Sequence, residues 1–333
     1  MRITRETLLK IARDTITLRA HERRGLVAAY LCGSLLEEEY LLGGTTDIDL
    51  VLVHTEPVEI KREIVSLTDE IHLDIAHHYQ EEYNQVRGLR THPWLGPLLN
   101  ACKVLYDPQH FMDFIQASVR GQFDRADNVL ERAHKQVEVA RRIWLRYQGE
   151  TTLIEPQDVK AYLKAVVHVA NAVAGISGPP LAERRFLLKF PGRAEAVDRS
   201  GLFPGLLGLL GAPRLDEGLF KKWLPLWQAA YQAIPVEQAP PSLHPKRLLY
   251  YREAFIAMLS GPQPEAILWP LLNTWTIAAG HFWAASPERQ NWQQACAQLG
   301  LIREGLAERF QALDSYLDLV DETLEAWGEA NGA

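Results

Sequence analysis

Cysteine is scarce: Cys32, Cys102 and Cys296 are the only three in a chain of 333 residues, and none belongs to a C-x-x-C pair. So few and so scattered, they exclude a disulfide framework and a thiolate zinc site, and a reducing cytosol is the expected compartment. Long apolar runs are missing too, since no unbroken stretch approaches the ~20 residues needed to span a bilayer. The opening segment MRITRETLLKIARD is charged from its second residue and lacks the apolar stretch of a secretory signal, so none is expected. Positive charge is in deficit. The chain has 35 Lys and Arg against 42 Asp and Glu, a net charge of −7, which makes dedicated nucleic-acid binding the poorer reading. No internal repeat or low-complexity tract is visible. What remains is a globular composition, 47% apolar and 23% charged, and a length that at about 150 residues per domain implies two hydrophobic cores.

The first hundred residues alternate between helix-like and strand-like patterns, whereas the rest reads as helix divided by Pro and Gly clusters. The expected domains are therefore 1–110 and 111–333, with a sub-boundary near 191–215. Leu8, Ile11, Ala12 and Ile16 recur at helical spacing, which predicts an amphipathic helix over 5–20. Leu26–Leu31, Ile48–Val53, Ile71–Ala76 and Lys103–Tyr106 read as strands, with a helix expected over 58–69. Strands mixed with helices in so short a span indicate a small α/β or α+β domain. Helices are then expected from 122 and over 157–174, 184–190, 217–233, 245–259, 264–284 and 289–327. The turns Pro191-Gly192, Ala212-Pro213, Gln238–Pro241 and Gly261–Pro264 divide them. Eight of the nine Trp fall in this half, where they are expected to fill a helical core.

The chemistry concentrates in Leu31-Cys32-Gly33-Ser34, a twelve-residue connection, and Asp47-Ile48-Asp49-Leu50. Side chains alternate along a strand, so Asp47 and Asp49 point to one side with roughly 7 Å between their Cα atoms. Two carboxylates on one face repel each other unless a cation lies between them. Oxygen ligands favour Mg²⁺, which completes its shell with substrate phosphates. A third acid, Asp74, lies in the next expected strand; if the two strands are neighbours, three acids converge on one metal site. Gly33 lets the chain turn sharply after the strand, and Ser34 at the start of a helix beginning near Leu35 can present an N–H and a hydroxyl to a phosphate. A lone Gly-Ser is a common turn and a lone Asp-x-Asp a common strand edge, but the ordered combination is more specific.

These residues resemble the signature of the nucleotidyltransferase superfamily of DNA polymerase beta type: a hydrophobic residue, Gly, Gly or Ser, a spacer, then Asp-x-Asp. In layout the chain is similar to the small bacterial antibiotic nucleotidyltransferases, with a minimal catalytic domain followed by helices. The likeness covers about residues 25–108, including Val104-Leu105-Tyr106-Asp107-Pro108 as the closing strand and turn. It implies an α+β fold, a mixed sheet with flanking helices, followed by an all-α helical bundle. It also implies that Asp47 and Asp49 hold two Mg²⁺ ions, that Asp74 completes the metal site, and that Gly33 and Ser34 contact the triphosphate of a nucleotide, ATP first. Thr46 stands in Gly43-Gly44-Thr45-Thr46, where relatives often carry Ser beside basic residues or Pro, and joins the nucleotide-binding candidates. Glu37–Glu39 puts negative charge beside the presumed phosphate turn. Two metals about 4 Å apart stabilise the entering and leaving oxygens of an in-line displacement, so an acceptor hydroxyl would gain a nucleoside monophosphate as pyrophosphate leaves. Asp74 is a candidate general base or a ligand alone.

The helical half is expected to wall the site, with Lys160 and Lys164 one turn apart and Arg184 and Arg185 after a Pro-Pro turn as phosphate-neutralising candidates, each also a plausible solvated face. His72, His77 and His78 lie close to Asp74 in sequence, but zinc is disfavoured because no second pair at ligand spacing completes a site. His168 reads as a hydrogen-bonded core residue. The expected partners are a nucleotide and a small-molecule acceptor, with no membrane and no nucleic acid. The alternative is an antitoxin-type or protein-AMPylating relative with a protein partner; the one match to an Arg-x4-6-His ribonuclease motif, Arg87 to His92, has a poor helical context.

Overall fold

The computed structural model describes residues 4–22, 25–150, 154–212 and 217–333. The chain divides into two compact units, the first running to Asn128 and taking in Lys246–Ala257, the second comprising Val129–Pro245 and Met258–Ala333. The fold is α+β.

In the first unit, α1 (Arg5–Glu22) precedes β1 (Leu26–Cys32), β2 (Thr46–His54), β3 (Arg62–Ser66), β4 (Ile71–Tyr79), α2 (Val86–Leu89), α3 (Leu95–Ala101), β5 (Lys103–Tyr106) and α4 (Phe111–Arg120). The strands form one mixed sheet in the order β3-β4-β2-β1-β5, in which β2 and β4 run parallel and the remaining pairs antiparallel. Strand β2 is covered on both faces. Ile48, Leu50 and Leu52 join Leu8, Ala12 and Ile16 of α1 in one cluster, while Val51 and Val53 join Leu99, Met112, Ile115 and Val119 in the other. That second cluster moves the boundary: α4 is part of the sheet's packing, so the first unit extends past 110.

Residues 58–69 are not a helix. Arg62–Ser66 instead forms the edge strand β3, closed by a turn in which the Thr68 hydroxyl accepts from the Glu70 and Ile71 N–H groups. Pairing with β4 and burial of Ile64 outweigh a weak helical pattern, as tertiary context commonly does for short segments.

The helices that follow are α5 (Ala126–Arg146), α6 (Pro156–Ala174), α7 (Phe186–Glu195), α8 (Leu202–Leu209), α9 (Glu217–Gln232), α10 (Leu248–Leu259), α11 (Leu268–Ala279), α12 (Pro287–Leu299) and α13 (Glu304–Asn331). Three expectations fail here. Pro191-Gly192 lies inside α7, where the packing of Phe186, Leu187, Phe190 and Ala194 outweighs one lost backbone bond. The sub-boundary expected near 191–215 is not where the units divide, since Val129–Pro245 belongs to one of them. The helix expected over 289–327 is broken at Gly300, whose φ of 68° lets the Leu301 N–H reach the Cys296 carbonyl and close α12. The turn expected at Ala212-Pro213 runs outside the described residues. Trp223, Trp227, Trp269, Trp275 and Trp292 are core residues as expected, the indole N–H of Trp227 donating to Thr274 and that of Trp292 to Thr276, but Trp283 is exposed.

His168 on α6 donates from Nδ1 to the Gln136 side-chain oxygen on α5, the hydrogen-bonded interior role its sequence context suggests. Burial, helped by the Lys164 charge, pushes its pKa from the ordinary 6.5 down to about 4. The unfolded chain therefore takes up this proton first as pH falls. The stability His168 contributes is complete above pH 6.5, declines as pH falls from there toward 4, and changes no further below that. In urea titrations across this window, His168→Gln should show a shallower loss of stability than the unmodified protein; parallel slopes would contradict the assignment.

Candidate active site

The parallel register of β2 and β4 sets Asp47 opposite His72 and Asp49 opposite Asp74. Because neighbouring strands are about 4.8 Å apart and alternate residues share a face, all four side chains leave the sheet on one side, as two adjacent pairs. They share that face with Val51 and Val53, so the acids terminate an apolar stripe and are largely withdrawn from water: Asp47 is 5%, His72 2% and Asp74 3% exposed. Asp49 is half-buried. Strand pairing thus brings Asp47, Asp49 and Asp74 onto one face of the sheet.

Gly33 ends β1 against Asp49. Its φ is 74°, and a Cβ there would come within 1.8 Å of the Asp49 Oδ2, so both conformation and space demand glycine. The expected phosphate helix is missing: Ser34–Leu36 is a single 3-10 turn whose Leu36 and Glu37 N–H groups already donate to Gly33 and Ser34 carbonyls. The Ser34 hydroxyl lies 3.4 Å from that of Thr46 and 3.5 Å from the Tyr40 carbonyl, and Thr46 donates to Tyr40 at 2.9 Å. Both hydroxyls fasten the loop to β2. Across β2 from the site, Cys32 pairs with Asp49; burial and then the Asp49 charge push its thiol well up, which leaves it a poor nucleophile.

Four residues absent from the sequence reading complete the site. Arg62 on β3 grips Asp74 with a two-pronged bond, Nε to Oδ1 at 2.5 Å and a terminal nitrogen to Oδ2 at 2.7 Å. Arg247, 1% exposed, reaches Asp47 at 3.4 Å and Asp74 at 3.5 Å, and its guanidinium lies over the Tyr250 ring at 4.9 Å. Tyr250 also meets the His72 ring edge-on at 5.0 Å, and Lys246 donates to the Ile64 carbonyl at 3.4 Å. The signal for Arg62 was hidden by the helix assigned to 58–69. Arg247 stands 200 residues from Asp47, and nothing local announces its partner.

The remaining candidates divide between the two units. His77, on the opposite face of β4 from Asp74, bonds Glu63 at 2.8 Å and His54 at 2.9 Å, with Arg19 on the far side of Glu63 at 2.8 Å. His78 bonds the Tyr83 hydroxyl at 2.7 Å, which in turn meets that of Tyr30 at 2.9 Å. Lys160 and Lys164 are exposed on α6, on the side away from buried Tyr162, and Arg184 is buried; all of these, with Arg185, belong to the second unit. Arg87 lies on the one-turn helix α2, and His92 accepts from the Trp94 and Leu95 N–H groups at the start of α3, so the ribonuclease spacing has no helix to sit on.

Among the described residues, Asp47, His72 and Asp74 form a group whose donor atoms lie within 4.8 Å of one another, close enough for one metal ion. Asp49 does not join that group. Two carboxylates and an imidazole suit a divalent cation chemically. The chain matches no protein-family model, and no curated protein is significantly similar to it. Among the described residues no helix is long and apolar enough to cross a membrane.

Removing Arg247 leaves two buried carboxylates short of positive charge. Arg247→Ala should destabilise the protein by about 3–5 kcal/mol in denaturant titrations, the usual cost of breaking a buried ion pair from one side. A loss under about 1 kcal/mol would mean that the guanidinium is dispensable there.

Proposed function

We propose that the first unit catalyses metal-dependent nucleotidyl transfer: a nucleoside monophosphate, adenylate first, passes from a triphosphate to a hydroxyl of a small-molecule acceptor, and pyrophosphate leaves. One observation carries the reading. Asp47, Asp49 and Asp74 share one face of two parallel strands, and the turn at Gly33 lies against Asp49. With it goes the resemblance of that turn, spacer and Asp-x-Asp to the polymerase-beta-type signature.

A bound divalent ion, Mg²⁺ as the resemblance implies, would supply charge to the phosphoryl oxygens and lower the pKa of the acceptor hydroxyl. The chain's own groups divide the remaining work. Gly33, lacking a side chain, allows a phosphate to approach the backbone beside Asp49. Asp47 and Asp74 are the buried ligand pair. Both oxygens of Asp74 already accept from Arg62, which argues against Asp74 as the base. Asp49, the half-buried acid, suits that role: it takes the hydroxyl proton as the acceptor oxygen bonds to the α-phosphorus and the bond to the bridging oxygen breaks. Arg62 and Arg247 add positive charge on the side of the acids, where a triphosphate gathers negative charge. The free thiols Cys32, Cys102 and Cys296 suit a reducing compartment such as the cytosol, where the reaction is proposed to occur.

Incubation with Mg²⁺, each nucleoside triphosphate and a panel of hydroxylated acceptors should release pyrophosphate. Asp49→Asn should lower the rate by at least ~100-fold, the lower range for loss of an acid–base group, while circular dichroism is unchanged. A folded Asp49→Asn protein with the parent rate would defeat the proposal.

A further inference from the structure

By sequence the acids suit magnesium and the histidines no metal. The geometry points to a different ligand set: we propose that His72 is a metal ligand and that Asp47, His72 and Asp74 together take one borderline transition ion, of the manganese or zinc class, in preference to magnesium. This deepens the nucleotidyl-transfer reading, because the ion is the one that reaction would use, yet the ligation itself rests only on the side chains.

Three features support it. The donor atoms of Asp47, His72 and Asp74 lie within 4.8 Å of one another, whereas Asp49 falls outside the group. A single ion at the centre therefore meets one nitrogen and two carboxylates rather than three carboxylates. Second, Asp74 has less left to give a metal that wants only oxygens. Arg62 takes one bond on each of its oxygens, so two of about four lone-pair directions are occupied, and the Arg247 guanidinium lies 3.5 Å from Oδ2 as an ion-pair partner. A carboxylate so engaged is a weakened donor, and the imidazole gains weight as the third. Imidazole suits Zn²⁺ and its neighbours, while Mg²⁺ is satisfied by carboxylates, carbonyls and water. Third, the ring of His72 is held. It is 2% exposed, its strand position fixes it opposite Asp47, and Tyr250 meets it edge-on at 5.0 Å. A ligand fixed before the ion arrives loses little freedom on binding it.

Arg62 and Arg247 give the same cluster two permanent positive charges. Asp47, His72 and Asp74 make one donor group, so one ion per chain is expected in place of the two magnesium ions that the resemblance implies.

The full-length protein, freed of metal and titrated with Mn²⁺ without nucleotide, should bind one equivalent tightly, and pulsed EPR should show ¹⁴N coupling from a coordinated imidazole. His72→Gln should abolish that coupling and weaken Zn²⁺ binding at least ~10-fold, since losing an outer partner of a ligand alone costs that much, while Mg²⁺ binding changes less than about twofold. If His72→Gln does not fold, Asp47→Asn tests the same site, because it must lose the nitrogen-coupled ion while keeping the imidazole. A wild-type spectrum without ¹⁴N coupling, or coupling that survives either folded variant, overturns the proposal. Pyrophosphate release measured in parallel separates the two readings: coupling without turnover keeps the ligand assignment and removes the transferase, and turnover without coupling does the reverse.

Discussion

Carboxylates crowded onto one face of a sheet and withdrawn from water are unstable company unless positive charge stands beside them. This one constraint organises the first unit. The parallel pairing of β2 and β4 brings Asp47, Asp49 and Asp74 together, and the edge strand β3 and the segment around Arg247 meet the resulting demand with guanidinium groups. Arginine fits the task better than lysine, since its planar fork lets Arg62 engage both oxygens of Asp74 and lets Arg247 lie over the Tyr250 ring. The apolar remainder of the unit, packed on both sides of β2, holds the strands in the register on which the convergence depends.

The two faces of the sheet treat polar groups differently. On the face of Asp74, the ionic groups gather at one end of the strands, while His78, Tyr83 and Tyr30 bond one another farther along. On the opposite face His54, His77, Glu63 and Arg19 form a chain of bonded partners between the sheet and α1. That chain satisfies its own members, as buried polar groups generally must. It accounts for why two of the three histidines near Asp74 in sequence take no part beside it in space: strand alternation sends His77 to the other side, and His78 is drawn toward Tyr83.

Much of this was legible in the sequence. The β-branched run around Ile48 and the alternation of Ile71–Ala76 identified the two strands that carry the acids, and the period of two put Asp47 and Asp49 on one side. Gly33 was legible as a turn, and the close approach of Asp49 is the physical reason behind it. The failures have a common origin in contacts between residues distant along the chain. Residues 62–66 carry too little pattern to distinguish an edge strand from a helix, and only pairing with β4 decides. The phosphate helix after Ser34 failed because one 3-10 turn satisfies the local backbone. Arg247 could not be inferred because its partners are set by folding alone. His72 was visible two residues before Asp74, but its significance required the register that puts Asp47 beside it.

The return of Lys246–Ala257 to the first unit bears on how the molecule can be cut and joined. A fragment ending at Asn128 would keep every strand and every acid while discarding Arg247 and the aromatic ring that steadies both it and His72. Such a piece would carry an unbalanced interior, and a graft of the sheet onto another scaffold would import the same defect. In evolutionary terms the sheet and the helices cannot be shuffled as independent cassettes, for a stretch encoded deep in the second half supplies the counter-charge to the first.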